Sequence, residues 1–288
     1  MILRSFTTRT AVAGAVTALA AGAMVGVATS PANAATVTNT YTCSLPSVYS
    51  GDFDLTVTGE IPVPQYWAGA TVPAGLLTVT AEATVPADAA GLLGAAGVTG
   101  ARSDNFGFAL STSTVPVPLK GDFVTEGGST KWKATGANTA FTTPNPGTYD
   151  ALMPAAFDMT TMQGDTDSVT LNCVLKEGTT AAAISSNFTL LKQSSKTVVT
   201  PTVIKVKKGK AAKIPATVSS TSLGGPVSGK VVAKEGTKTL KAARLKNGKV
   251  VLNLGTKLKL GKHRITVKYL GIPSVGGSSD KVVVKVVR

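Results

Sequence analysis

Histidine, cysteine and aromatic residues are scarce in this sequence, and each scarcity removes a class of chemistry. The single histidine, His263, excludes multi-histidine metal catalysis. No carboxylate lies near it in sequence to orient it, so a Ser-His-Asp arrangement finds no support and a structural role is expected. The two cysteines, Cys43 and Cys173, have no further Cys or His at ligand spacing, which argues against a zinc site. The sequence has no Gly-rich phosphate loop, Gly-x-Ser-x-Gly elbow or nucleotide fingerprint, so no cofactor is expected. Asp165-Thr166-Asp167 after Gly164 resembles a fragment of a calcium loop but lacks the later ligands, and reads as a polar turn. Carboxylate-pair chemistry stays open, with Asp52, Asp54, Glu60, Glu82, Asp104 and Asp122 available, although their convergence is not written in the sequence. The balance points away from an enzyme.

The N-terminus speaks to compartment. Arg4 and Arg9 precede an uncharged run, Ala11 to Ala28, then Thr29-Ser30-Pro31 and Ala32-Asn33-Ala34. A basic start, an apolar stretch and an A-x-A site describe a secretory signal peptide over residues 1–34. A membrane anchor is the competing reading, but the Ala and Gly content makes a weak spanning helix. No other run approaches spanning length, so no transmembrane anchor is expected after cleavage. With Lys285-Val286-Val287-Arg288 at the end, covalent wall attachment through a sorting signal is not expected. The protein is therefore expected to be secreted, extracellular or associated with the cell surface. In that oxidising setting Cys43 and Cys173 are expected to form a disulfide, with two buried thiols as the alternative.

Charge divides the rest. Residues 35–193 hold six bases against thirteen acids, a net of −7, whereas residues 194–288 hold twenty-one bases against two acids, a net of +19. Such a step marks a domain boundary. We expect an acidic domain at 35–193, a linker at 194–200 around Lys192 to Thr197, and a basic domain at 201–288.

The fold class expected is all-β, with two antiparallel β-sandwich domains in tandem. In the first domain, Asp54 to Gly59 and Leu77 to Ala83 alternate polar and apolar residues. Phe106 to Leu110, Asp122 to Val124, Lys131 to Lys133 and Ser168 to Cys173 are further strands. Ala87 to Gly100 could be helix or loop. Trp132, between two lysines, is expected in the core. Tyr66 and Trp67, beside Pro62 and Pro64, are candidate glycan contacts, weighed against plain packing. The segments around Tyr41-Thr42-Cys43-Ser44-Leu45-Pro46 and Leu171-Asn172-Cys173 resemble a domain of unknown function found in secreted actinobacterial proteins; the resemblance covers roughly residues 38–190 and implies no activity.

In the second domain Ile265, Val267 and Tyr269 alternate with Arg264, Thr266 and Lys268, and Val282, Val284 and Val286 with Lys281 and Lys285. Val250, Leu252 and Leu254 form a third inward set, Ile204 and Val206 a fourth. Asn247-Gly248 marks a tight turn. The run Pro226 to Val231, Leu245 to Gly248, Leu260 to His263, Tyr269-Leu270-Gly271 and Lys281 to Val286 resembles the bacterial immunoglobulin-like repeat domains of surface proteins. It departs from them at Ile272, where an acid often follows. The resemblance implies a stalk, spacer or adhesion module without catalysis.

Eighteen of the twenty-one bases in residues 194–288 are lysines. One reading is protection of sheet edges. The other is contact with a polyanion, an anionic cell-envelope polymer or polysaccharide, through Lys205, Lys207, Lys208, Lys210, Lys230, Lys234, Arg264, Lys268, Lys281 and Lys285. Arginine is scarce, and Tyr269 is the only aromatic after Phe188, which argues against nucleic acid. The function expected is a secreted or surface binding or scaffold protein, with other surface proteins as further partners. The alternatives are a carbohydrate-binding or carbohydrate-active first domain on a spacer, and a structural subunit of a surface assembly.

Overall fold

The computed structural model describes residues 35–59 and 65–288. The expected signal peptide at 1–34, and Glu60, Pro62 and Pro64, lie outside those residues. Almost everything described is strand. In chain order the first domain has β1 (Ala35–Leu45), β2 (Tyr49–Gly59), β3 (Gln65–Trp67), β4 (Thr71–Val72), β5 (Thr78–Thr84), α1 (Ala87–Ala95), β6 (Gly100–Ser103), β7 (Gly107–Leu110) and β8 (Ser113–Pro116). It continues with β9 (Leu119–Glu126), β10 (Ser129–Ala137), β11 (Phe141–Thr142), β12 (Gly147–Leu152), β13 (Ala156–Gln163), β14 (Thr166–Leu175) and β15 (Ala183–Leu191).

Alternation decides which way each strand faces. In β1, Asn39, Tyr41 and Cys43 point inward, and Thr36, Thr38, Thr40 and Thr42 point out. The outward hydroxyls pair across to β2: Thr36 with Thr58 and Thr38 with Thr56, both at 2.8 Å, Thr40 with Asp54 at 2.6 Å and Thr42 with Asp52 at 2.7 Å. Such cross-strand pairs suit β-branched residues and hold register.

The all-β expectation stands, but the first domain's main sheet differs from an open sandwich leaf. Eight strands close into a ring in the order β1-β14-β13-β6-β9-β10-β5-β2. A second sheet, β3-β15-β12-β7-β8, packs against it and shares its core, where Phe106, Phe108, Phe188 and Leu190 join Leu55, Val57, Leu119 and Trp132. Glycines inside strands make the curl possible. A Cβ on Gly121 would sit 1.9 Å from the Lys133 carbonyl oxygen, and one on Gly136 would sit 2.5 Å from that of Pro118. Only a residue without a side chain permits backbones that close. Closure also removes free sheet edges.

Trp132 fills the barrel as expected. It is 1% exposed, and its indole N–H is shared between the carbonyls of Ala101 and Gly121, each at 3.2 Å. The flanking lysines face out and pair with Glu82 and Glu126. Tyr41 meets Phe157 edge-on at 5.0 Å, and Phe157 meets Phe106 at 5.4 Å.

The second domain holds β16 (Ser195–Val199), β17 (Val203–Lys207), β18 (Lys213–Ser220), β19 (Lys230–Glu235), β20 (Lys238–Arg244), β21 (Lys249–Asn253), β22 (Gly261–Tyr269) and β23 (Ser278–Val287). They form a three-stranded sheet, β16-β18-β21, and a five-stranded one, β17-β23-β22-β19-β20, around a separate core of Ile214, Leu252, Ile265, Val267, Tyr269 and Val284. The β17–β23 pair is parallel, as is β3–β15, so neither domain is wholly antiparallel.

The linker expected at 194–200 is corrected by these strands. Ser195–Val199 is β16, hydrogen-bonded to β18, because Thr197 and Val199 alternate inward with Lys196 and Val198 outward. The junction shrinks to Lys192-Gln193-Ser194. Gln193 is buried there, its side-chain amide donating to the Ala68 carbonyl at 2.6 Å and its backbone N–H to that of Ser274 at 2.9 Å. Asn247 and Gly248 take φ of 48° and 69°, the left-handed pair that a tight hairpin turn requires.

Candidate functional site

Strand period and register gather the basic residues on the outward face of the five-stranded sheet. Ile204, Val206, Val282, Val284, Ile265 and Val267 turn into the core, which forces their neighbours out. Lys205 lies directly opposite Lys285, and Lys285 opposite Lys262, so three ammonium-bearing side chains form one row across β17, β23 and β22. Lys281 pairs in register with Thr266, and Thr266 with Lys234, in a second row. Lys207, Arg264, Lys268 and Lys230 lie on the same face, with Arg244 of β20 directly opposite Lys230.

Eight of the ten candidate polyanion contacts therefore share one surface. Lys208 and Lys210 do not; they lie in the turn after β17, where Lys208 N–H bonds the Val287 carbonyl. Lys262 was missed, because Leu260 to His263 reads as a turn while β22 already begins at Gly261.

Both acids of the second domain are occupied away from this face. Asp280 accepts from the backbone N–H of Val199 at 2.9 Å and of Lys281 at 2.7 Å. Glu235 binds His263. Among the described residues, no lysine of this domain has an ion-pair partner. Like charges directly opposite across a sheet destabilise it, so the row Lys205–Lys285–Lys262 stands as an uncompensated cost in the free protein.

The carboxylate that orients His263 comes from far along the chain. Its Nδ1 lies 2.9 Å from Glu235 Oε1 and its Nε2 lies 2.8 Å from the Lys259 carbonyl oxygen. Both neighbours accept, so the ring is best satisfied when both nitrogens carry protons. The Lys259 carbonyl and then Glu235 hold its pKa above the usual histidine value, against the opposing effect of burial. The linkage follows from that sign. The stabilisation is complete below about pH 6.5, the unfolded value, and is lost as pH rises through the higher folded value. The single imidazole proton signal should titrate above pH 6.5, and His263→Gln should flatten the fall in melting temperature over that window. A midpoint at or below 6.5 would contradict the pairing.

The glycan candidates are not displayed as a shelf. Tyr66 turns inward, and its buried hydroxyl has no hydrogen-bond partner. Burial pushes its pKa up to about 12. It lines an apolar cavity of about 50 Å³ with Phe108, Phe141 and Phe188. Trp67 is half-buried on the same short strand, since its neighbour Leu191 packs beside it in register.

The acids of the first domain are spread over the outer wall. Asp52 accepts from Lys176 and Thr42, which hold it below the usual carboxylate range, and Glu82 is held low by Lys131. Asp104 and Asp167 pair with Arg102, and Asp165 with Lys120, which makes Gly164 to Asp167 a salt-bridged polar turn. Among the described residues, no group of acids, histidines and cysteines could hold a metal ion. No helix there is long and apolar enough to cross a membrane.

Cys43 and Cys173 are joined, as expected, across directly paired positions of β1 and β14.

Comparison with known proteins agrees with both resemblances. A model of a family of unknown function, DUF6801, matches residues 40–185, just over half of the chain, and the chain belongs to that family. A model of the bacterial Ig-like domain (group 3) matches residues 197–287. No curated protein matches. Among solved structures, the fibronectin(III)-like modules of Clostridium thermocellum CbhA show 14% identity, 80% of this chain and 93% of theirs being covered, at a TM-score of 0.28. A chimeric titin Z1Z2 tandem shows 11% identity, 78% and 94% coverage and a TM-score of 0.27. At such TM-scores neither carries an argument. The family matches fit a surface or scaffold module.

Proposed function

We propose that the chain is a non-catalytic binding protein of the cell surface or exterior, whose second domain grips an anionic envelope polymer through the outward face of its five-stranded sheet. The observation that carries this reading is the row Lys205–Lys285–Lys262, set on a face where the domain's own acids do not reach. A net charge of +19 on residues 194–288 exceeds what solubility asks of a small domain. An incoming polyanion relieves the mutual repulsion of the row, so binding gains from a strain already present. The first domain, acidic and tied by its disulfide, presents whatever further surface the protein uses.

The absence of catalysis is part of the proposal. It is supported by a lone histidine with both ring nitrogens engaged.

The test is binding of the mature chain to an anionic polymer at two salt concentrations. Exposed charges act over about 10 Å at 0.1 M salt and about 3 Å at 1 M, so high salt should release the complex. The triple variant Lys205→Gln, Lys262→Gln, Lys285→Gln should lose most of the low-salt affinity while keeping its melting temperature or raising it. Undiminished binding by that variant would reject the assignment of the face.

A further inference from the structure

We infer that the polymer suited to this face is a flexible phosphodiester chain rather than a carboxylated polysaccharide, an inference that rests on the proposed polyanion contact. Three observations point the same way. The face carries eight lysines, at 205, 207, 230, 234, 262, 268, 281 and 285, and only two arginines, Arg264 and, at its β20 edge, Arg244. A carboxylate is matched by the planar fork of arginine, which donates two parallel hydrogen bonds; lysine offers a point charge with three rotatable donors. A phosphodiester needs only that point charge, and its two free oxygens accept from any direction a lysine approaches.

The second observation is the lack of an aromatic shelf. Tyr269 is the domain's one aromatic residue, and it is wholly buried on the opposite side of β22, its hydroxyl donating to the Ser228 carbonyl at 2.8 Å. Sugar rings find no aromatic ring to stack on at the basic face. The groups between its cations are Val203, Val232, Ala242, Val283, Val287, Thr266 and Ser279, all short side chains that leave the lysines as the tallest features.

The third is spacing. Neighbouring strands stand about 4.8 Å apart and same-face residues along a strand about 6.8 Å apart. Lys205, Lys285 and Lys262 occupy three adjacent strands, and Lys205 and Lys207 follow each other on one. Cations this close are relieved fully only by a ligand that brings an anion to each of them. A polyol-phosphate chain carries a charge every few freely rotating bonds and can bend to follow the lattice. A chain of carboxylated sugars is stiff, and its rings hold the charges in fixed directions.

The experiment titrates the mature chain with poly(glycerol phosphate) and, separately, with polygalacturonate at equal charge concentration, in about 0.15 M salt, where screening confines the comparison to direct contacts. Binding to poly(glycerol phosphate) should be at least about tenfold tighter. The triple variant Lys205→Arg, Lys262→Arg, Lys285→Arg keeps the charge and supplies forks, so it should narrow that ratio by improving polygalacturonate binding. Equal or tighter wild-type binding to polygalacturonate overturns this inference and leaves the polyanion face standing. A ratio unchanged by the arginine variant removes the geometric part of the inference. Failure to bind either polymer overturns the face itself.

Discussion

Trp132→Ala should cost the first domain about 3–5 kcal/mol, the range for removing a fully buried large aromatic. Domain stability is typically 5–15 kcal/mol, so the loss takes a large part of it. The reason lies in where this side chain sits. Trp132 is 1% exposed inside the closed ring, and its N–H satisfies carbonyls on two other strands, those of Ala101 and Gly121. Its removal leaves a cavity and takes a donor from the carbonyl of Gly121, where the backbones of β9 and β10 approach closely. Trp132→Phe separates the two effects: it keeps most of the volume and should cost about 1–3 kcal/mol for the carbonyls left without a donor. Urea denaturation followed by circular dichroism measures both, and the second domain's transition should not move. A loss below about 1 kcal/mol for the alanine variant would mean that Trp132 is not the plug of the barrel.

Removing the disulfide, by Cys43→Ala with Cys173→Ala, should lower the stability of the same domain by up to about 5 kcal/mol. The bond spans 130 residues of chain, so the unfolded state regains the freedom of a long loop. Its position adds to the effect. The seam between β1 and β14 pairs only four positions in register, Tyr41 to Ser44, whereas β1 pairs eleven with β2. Cys43 and Cys173 lie inside that short seam, both buried. The bond therefore reinforces one of the shortest seams of the ring. Hydrogen exchange should show β1–β14 amides losing protection first in the alanine variant. If the melting temperature of the first domain stays within a few degrees of wild type, the seam closes without help.

Local patterns in the sequence carried much of this structure, and their limits are physical. Alternation placed Leu55 and Val57 inside the first core and Ile265, Val267 and Tyr269 inside the second, because a period of two is written into each strand by itself. Trp132 was legible for the same reason, with lysines on both sides. Closure of the ring was not. It depends on β6 pairing with β9 and β13, strands that meet only after distant segments fold. The signal present was glycine inside strands, at Gly121 and Gly136, which marks close backbone approach without naming the partner.

The candidate site was half legible. Outward lysines followed from inward valines, but the row they form required register, and Lys262 entered it only once β22 was seen to start before His263. The partner of His263 is Glu235 on β19, brought beside it by the β19–β22 pairing. The supposed linker at 194–200 misled because its serines, lysine and threonine look like a polar spacer. Thr197 and Val199 nonetheless bury one face of a real strand.

Mapping backbone amide shifts while a chain of residues 35–288 is titrated with poly(glycerol phosphate) would locate the contact surface directly. Perturbations should cluster on Val203–Lys207, Gly261–Tyr269 and Ser278–Val287 and vanish in high salt. Perturbations confined to the barrel, or none at charge equivalence, would contradict a lysine-faced sheet as the gripping surface.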